Sequence, residues 1–131
     1  MILNSIFITF IILFFNISIV HARSRAPAWS CLLATKLTRR KFVTTFHGTY
    51  NFNNSLKKFY NSVMVRSDLV IAGSNFIFSH ICENYEKYLN NKNRKLLVIF
   101  RGINSEYFSQ KNVSNAKLQK QINEWQVDKN K

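Results

Sequence analysis

Apolar positions along the chain follow two rhythms that alternate. Residues 17–20, 41–46, 69–72 and 96–100 form short runs rich in β-branched and aromatic side chains, with the length of strands. Between them the spacing turns helical. Ile2, Ile6, Phe10, Leu13 and Phe14 lie close to a helical period, and Asn16 breaks that run. Pro27 opens a helix reaching about Thr38, with Trp29, Leu32, Leu33 and Leu37 turned inward and Arg39-Arg40-Lys41 closing it favourably against the helix dipole. Ser55 is placed to cap a helix in which Leu56, Phe59, Tyr60, Val63 and Met64 recur at helical spacing. Ser74 is placed to cap another, carrying Phe76, Ile77, Ile81, Tyr85 and Tyr88. A more polar helix over 112–125 turns Val113, Leu118, Ile122 and Trp125 inward. Strand centres near Ile19, Thr44, Ile71 and Val98 are roughly 25 to 30 residues apart, the length of a βαβ unit with a right-handed crossover. The predicted fold class is therefore α/β: a parallel Rossmann-like sheet with flanking helices. The unbroken apolar run 69–72 predicts a strand buried on both faces.

Residues 1–22 admit other readings. Val20-His21-Ala22 resembles the small-residue cleavage site of a signal peptide, although no positive charge precedes the apolar run. A membrane anchor is interrupted by Asn4, Ser5, Thr9, Asn16 and Ser18, and the cleanest apolar stretch, 10–15, is too short to span a bilayer. A helix followed by a strand is carried forward, with a targeting segment or anchor as the alternative.

Length and charge narrow the class. At 131 residues the chain makes one domain at most, and 47% hydrophobic residues suffice for a core. The formal charge of +13 points to an anionic partner: nucleic acid, a phosphorylated ligand or an anionic membrane surface. Part of that charge is compositional, because the chain is rich in Asn, Ile, Phe and Lys together. Cys31 and Cys82 have no metal-binding spacing and read as small apolar residues inside helices. There is no G-x-G-x-x-G, P-loop, metal-ligand cluster, nucleophile elbow or acid–base pair, so no residue is assigned a catalytic role.

The candidate chemistry sits where the strands end. His21-Ala22-Arg23-Ser24-Arg25, His47-Gly48-Thr49, Gly73-Ser74-Asn75 and Arg101-Gly102 would share one rim of a parallel sheet, where such folds bind ligands and helix N-termini favour anions. Arg23, Arg25 and Arg101 offer forked donors to phosphate oxygens, and the His, Ser, Thr and Asn groups exchange hydrogen bonds with hydroxyls. His47 is the leading candidate, because it follows a buried strand directly and precedes a glycine that lets the chain turn. Ser74 has an equally good structural role as a helix cap. The Arg23–Arg25 run also reads as a solvated loop, and His80 as an ordinary helical position.

Taken in order, HARSRAPAW at 21–29, TTFHGTY at 44–50, YNSVM at 60–64, VIAGSNF at 70–76 and RGIN at 101–104 with Phe108 resemble family 4 (group 1) glycosyltransferases of the GT-B fold. The similarity is greatest to bacterial members that build lipopolysaccharide or other cell-surface glycans. The resemblance implies two Rossmann-like domains with the active site between them. Residues 1–126 would be a partial N-terminal, acceptor-side domain and 127–131 the start of the linker, with the C-terminal nucleotide-sugar domain absent. His47 would touch the donor sugar or its phosphate, Gly48 and Thr49 would shape its loop, and Arg23 and Arg25 would face the acceptor or the opposing domain. Ser74, Asn75, Arg101 and Gly102 would complete the substrate-binding set. The implied reaction is transfer of a hexose from a nucleotide sugar to a glycan or lipid-linked acceptor, without a metal, at the cytoplasmic side of the inner membrane. The chain would be inactive without a donor-binding domain, supplied in cis or by a separate chain. A sheet lacking its first strands would also expose an edge and apolar helix faces. The alternatives from other classes are a basic module for nucleic acid or anionic surfaces, which rests on charge alone, and a secreted or anchored basic protein.

Overall fold

A computed structural model describes residues 1–50, 54–90 and 94–126; the remainder of the loops expected after His47 and Asn90, and the tail from 127, lie outside the described residues. The chain divides into two units, Met1–Arg101 and Gly102–Lys131.

The first unit holds α1 (Ile2–Phe14), β1 (Ile19–Ala22), α2 (Arg25–Thr38), β2 (Lys41–Phe46), α3 (Ser55–Asn61) with a short 3-10 turn at Ser62–Val65, β3 (Leu69–Ala72), α4 (Asn75–Leu89) and β4 (Lys95–Val98). All four strands pair in parallel, in the order β1-β2-β3-β4. This is the α/β sheet with flanking helices that the strand spacing predicts.

Only one face of the sheet is fully buried. Phe42, Thr44 and Phe46 of β2 and Val70 and Ala72 of β3 pack with Leu32, Val63, Met64, Ile77, Ile81 and Tyr85 from the helical layer. The alternate positions Val43, Thr45, Leu69 and Ile71 are only half-buried. An unbroken apolar run is therefore not enough to bury both faces of β3: a side chain's partner layer decides its burial, and the alternate side is only partly covered among the described residues. The Thr44 hydroxyl lies in the buried face yet is satisfied, donating to the Met64 carbonyl at 2.6 Å beside the Ser67 hydroxyl at 2.7 Å.

The helices exist where the spacing puts them, but several turn a different face inward. In α1, Ile2, Ile6, Phe10, Leu13 and Phe14 are all at least 60% exposed, whereas Ser5 and Ile12 are buried. α1 packs against α2, whose buried positions include the small residues Ala28, Ser30, Cys31, Ala34 and Thr35. Ser30 Oγ donates to the Met1 carbonyl at 3.3 Å, and Thr9 Oγ1 to that of Ser5 at 2.8 Å. α2 begins at Arg25 rather than Pro27, and its Leu33 and Leu37 are exposed. α3 is capped by Asn54, whose side chain accepts from the Lys57 N–H, and not by Ser55. Its Leu56, Phe59 and Tyr60 face solvent while Val63 and Met64 enter the core. Ser74 caps α4 as expected, accepting from the Ile77 N–H at 3.3 Å, but Phe76 is exposed. Strand β4 stops at Val98, leaving Ile99 and Phe100 exposed. Cys31 is buried, which pushes its thiol pKa up, and Cys82 is half-buried.

The second unit holds a 3-10 turn at Gln110–Asn112 and α5 (Asn115–Trp125), capped by Ser114. No residue of α5 is buried, so Leu118 and Trp125, expected inward, are exposed. No helix among the described residues is long and apolar enough to cross a membrane.

Candidate functional site

The parallel register aligns the strand ends. Ala22 pairs beside Thr44, Phe46 beside Ala72, and Ala72 beside Val98. Whatever follows each strand therefore arrives at one rim. Phe46 is fully buried against Tyr50, at 4.6 Å between ring centroids, and Tyr85, at 5.9 Å. That anchor fixes where the next residue, His47, leaves the sheet.

His47 stands between two arginines. Arg23 Nε donates to His47 Nε2 at 3.0 Å, and Arg101 Nη2 contacts His47 Nδ1 from the other side. The Arg101 side chain lies along Gly73, where an added Cβ would come within 4.0 Å of its Nε. One strand over, His21 Nε2 hydrogen-bonds Thr45 Oγ1 at 2.7 Å. Burial first, then Arg23, Arg101 and His21, hold the His47 pKa below the usual histidine value. The imidazole is thus neutral near pH 7 and has one nitrogen able to accept. Two guanidiniums, which only donate, compete for that lone pair. Among the described residues no carboxylate forms an ion pair with Arg23 or Arg101. The rim is rich in donors and poor in acceptors, and an anionic group with several oxygens is the complement it lacks.

The helix ends add to this. The α2 N-terminus follows β1 with Ser24 at its cap position making no side-chain capping bond, and α4 begins at Asn75 after β3, two strands over in the sheet order. Both termini present the positive end of a helix dipole.

The other expected site residues are placed as follows. Arg25 does not stand with Arg23. It is the first residue of α2, donates from Nη1 to Asn61 Oδ1 at 2.8 Å, and lies 4.5 Å from the centre of the Tyr50 ring. Its position couples the start of α2 to the core. The Ser74 hydroxyl is engaged in its cap, and Asn75 is exposed at the first helical position. Gly48 and Thr49 lie on the loop after β2. No glycine has a positive φ, so Gly48 is not required by the turn, and an added Cβ there would meet nothing within 4 Å among the described residues. Gly102 opens the second unit and is likewise unconstrained. His21, placed on the rim by the sequence but left out of the substrate-binding set, neighbours this site through Thr45 on the half-buried face of β2. His80 is half-buried in α4 and hydrogen-bonds Asn84. No group of three or more His, Cys, Asp or Glu among the described residues could hold a metal ion.

Known proteins supply the context for this rim. The family model described as Glycosyltransferase Family 4 matches residues 1–107. The crystal structure of a glycosyltransferase from Rickettsia africae ESF-5 superposes with a TM-score of 0.67 and is 46% identical. That alignment covers 98% of this chain and 33% of the other, so the chain spans about a third of its neighbour's length. No curated protein matches significantly. With a family model covering most of its residues and a parallel sheet shared with a solved glycosyltransferase, the chain belongs to glycosyltransferase family 4.

Proposed function

We propose that the chain forms part of the N-terminal, acceptor-side half of a GT-B enzyme that transfers a hexose from a nucleotide sugar to a glycan or lipid-linked acceptor of the cell envelope. The observation that carries this reading is the Arg23–His47–Arg101 arrangement, in which two guanidiniums share one acceptor. Phosphate oxygens of a sugar donor would accept from both arginines, and neutral His47 would donate or accept a hydrogen bond at a sugar hydroxyl or phosphate. Arg23 and Arg101 carry the charge that balances the phosphates, so no metal is assigned. Gly48 leaves room for close approach of the donor beside Thr49, and the α2 N-terminus supports the same charge. Donor contacts from a second Rossmann-like domain complete the site in this reading, which makes binding by this chain alone weak. On this reading the reaction would run in the cytoplasm, at the inner-membrane surface where a lipid-linked acceptor would be met.

The test is an NMR titration of the isotope-labelled chain with uridine and guanosine diphosphate hexoses, following the His47 ring protons. The expected result is a saturable shift at His47 and at the amides of Arg23 and Arg101, weakened about tenfold by Arg101→Gln, the scale of one charge-assisted hydrogen bond. A His47 signal that stays in place at tens of millimolar nucleotide sugar would overturn the reading.

A further inference from the structure

A second concentration of positive charge lies at the opposite ends of the same strands. A cleft of about 320 Å³ opens between the C-terminus of α2 and the amino ends of β2, β3 and β4. Successive connections deliver cations to it: Lys36 and Arg39 from the end of α2, Arg40 and Lys41 at the start of β2, Arg66 before β3 and Arg94 immediately before β4. Among the described residues Asp68 is the one carboxylate lining it, and its Oδ2 already accepts the Phe42 N–H at 2.8 Å. No ion pair within 4.0 Å joins Asp68 to these cations among the described residues. The α2 carbonyl terminus offsets part of the charge on Lys36 and Arg39, but the other four have no such compensation.

The cleft is also partly organised in advance. Arg66 is held by Ser62 Oγ at 3.0 Å and by the rings of Phe59 and Tyr88, at 4.9 and 4.8 Å. Arg94 is held by the Tyr88 carbonyl, and Arg40 by Asn16 Oδ1 at 2.7 Å. Arg40 Nε is buried with no partner among the described residues. Burial, and then the Arg66 charge, depress the Arg94 pKa, and Asp68 opposes this only in part. Positive charge here is therefore compensated only in part. A second cleft of about 310 Å³ shares Leu32, Lys36 and Arg66 with the first but is otherwise lined chiefly by apolar groups, among them Met1, Ile2 and Trp29.

We infer that the basic cleft is a second anion site that takes a phosphate ester, distinct from the His47 rim and at the other end of the sheet. Forked donors on Arg40, Arg66 and Arg94 suit a tetrahedral oxyanion better than a single carboxylate. The phosphate could be borne by a soluble molecule or by a lipid whose chain enters the adjoining apolar cleft, and the experiment separates these sources.

The full chain, isotope-labelled, is titrated with inorganic phosphate at low ionic strength, and separately sedimented with vesicles of phosphatidylglycerol or of phosphatidylcholine. The expected result is a saturable shift at the amides of Arg40, Lys41 and Arg94, with at least tenfold weaker binding at those amides in R94Q and in K41Q, read separately from any shift at His47 on the other rim. Co-sedimentation with phosphatidylglycerol alone, lost in K41Q, assigns a lipid phosphate; saturable binding of phosphate without it assigns a soluble one. Should a variant fail to fold, protection of Arg40 and Arg94 of the unaltered chain from phenylglyoxal by phosphate, read by mass spectrometry, replaces it. Absence of saturable binding in both arms, or binding that R94Q and K41Q leave unchanged, overturns the inference.

Discussion

Replacing Ile12 and Phe10 one at a time by alanine opposes the packing of α1 to its hydropathy. Phe10 is the larger apolar side chain and lies on the face that helical spacing selects, so sequence reasoning makes its loss the more costly. The structure reverses the order. Ile12 is fully buried, whereas Phe10 is 63% exposed and its described ring contact is with Phe14, at 5.8 Å between centroids. Removing the Ile12 side chain beyond Cβ leaves a buried cavity, for which about 3 kcal/mol is the expected loss, within the usual range for large-to-small core changes. Phe10→Ala removes part of one ring pair and a minority of its area, about 1 kcal/mol. The assay is urea denaturation followed by circular dichroism at 222 nm, with unchanged slopes as the check on two-state behaviour. Equal losses, or a larger loss for F10A, would show that α1 docks by its apolar face. Two neutral substitutions would show that it does not dock at all.

Further outcomes follow from single side chains. His47 has a lowered pKa in the folded chain, so as pH falls through the ordinary histidine range near 6.5 the unfolded chain takes up the proton first. Stability should therefore drop as pH falls below that range, and H47Q should remove that part of the slope in thermal melts; an identical slope in H47Q refutes the assignment. Ser74→Ala should cost about 1 kcal/mol through loss of the α4 cap, with nucleotide-sugar shifts at His47 unchanged and stability restored by S74D; lost shifts with unchanged stability would make Ser74 a ligand contact instead. Thr44→Val should cost about 1–3 kcal/mol in the same urea assay, because the Met64 carbonyl and Ser67 hydroxyl lose a buried partner; a neutral result would show that water or Ser67 replaces it.

The strands were legible in the sequence because each is a compact apolar run between polar punctuation. β2 and β3 match the expected bounds, and Asn16, with φ of 49°, does break the first run. Helix faces were less legible. In α1 nearly every position is apolar, so spacing cannot choose a face; the face turned inward is the one carrying Ser5 and Ile12. In α3 the periodic signal fades because Ser62–Val65 tightens into a 3-10 turn, which rotates the residues around it. For the rim, Arg23, His47 and Arg101 could be placed together from strand ends alone. The inward turn of Arg25 could not, because it depends on Asn61 and Tyr50, both distant in sequence. The donor–acceptor imbalance likewise becomes visible only when both arginines are seen on one imidazole.

The strands stand in the sheet in the order in which they are synthesised. Each cross-strand side-chain bond inside the sheet closes a short loop: 23 residues from Thr44 to Ser67, 26 from Phe42 to Asp68, 24 from Arg23 to His47. Such loops close quickly, and each new strand meets a partner that is already formed. The contact from His47 to Arg101 is different, because it spans 54 residues and skips over β3. During assembly it is therefore the last of these contacts to form. A chain emerging residue by residue would possess its sheet, its core and the first arginine well before it could grip an anion with two.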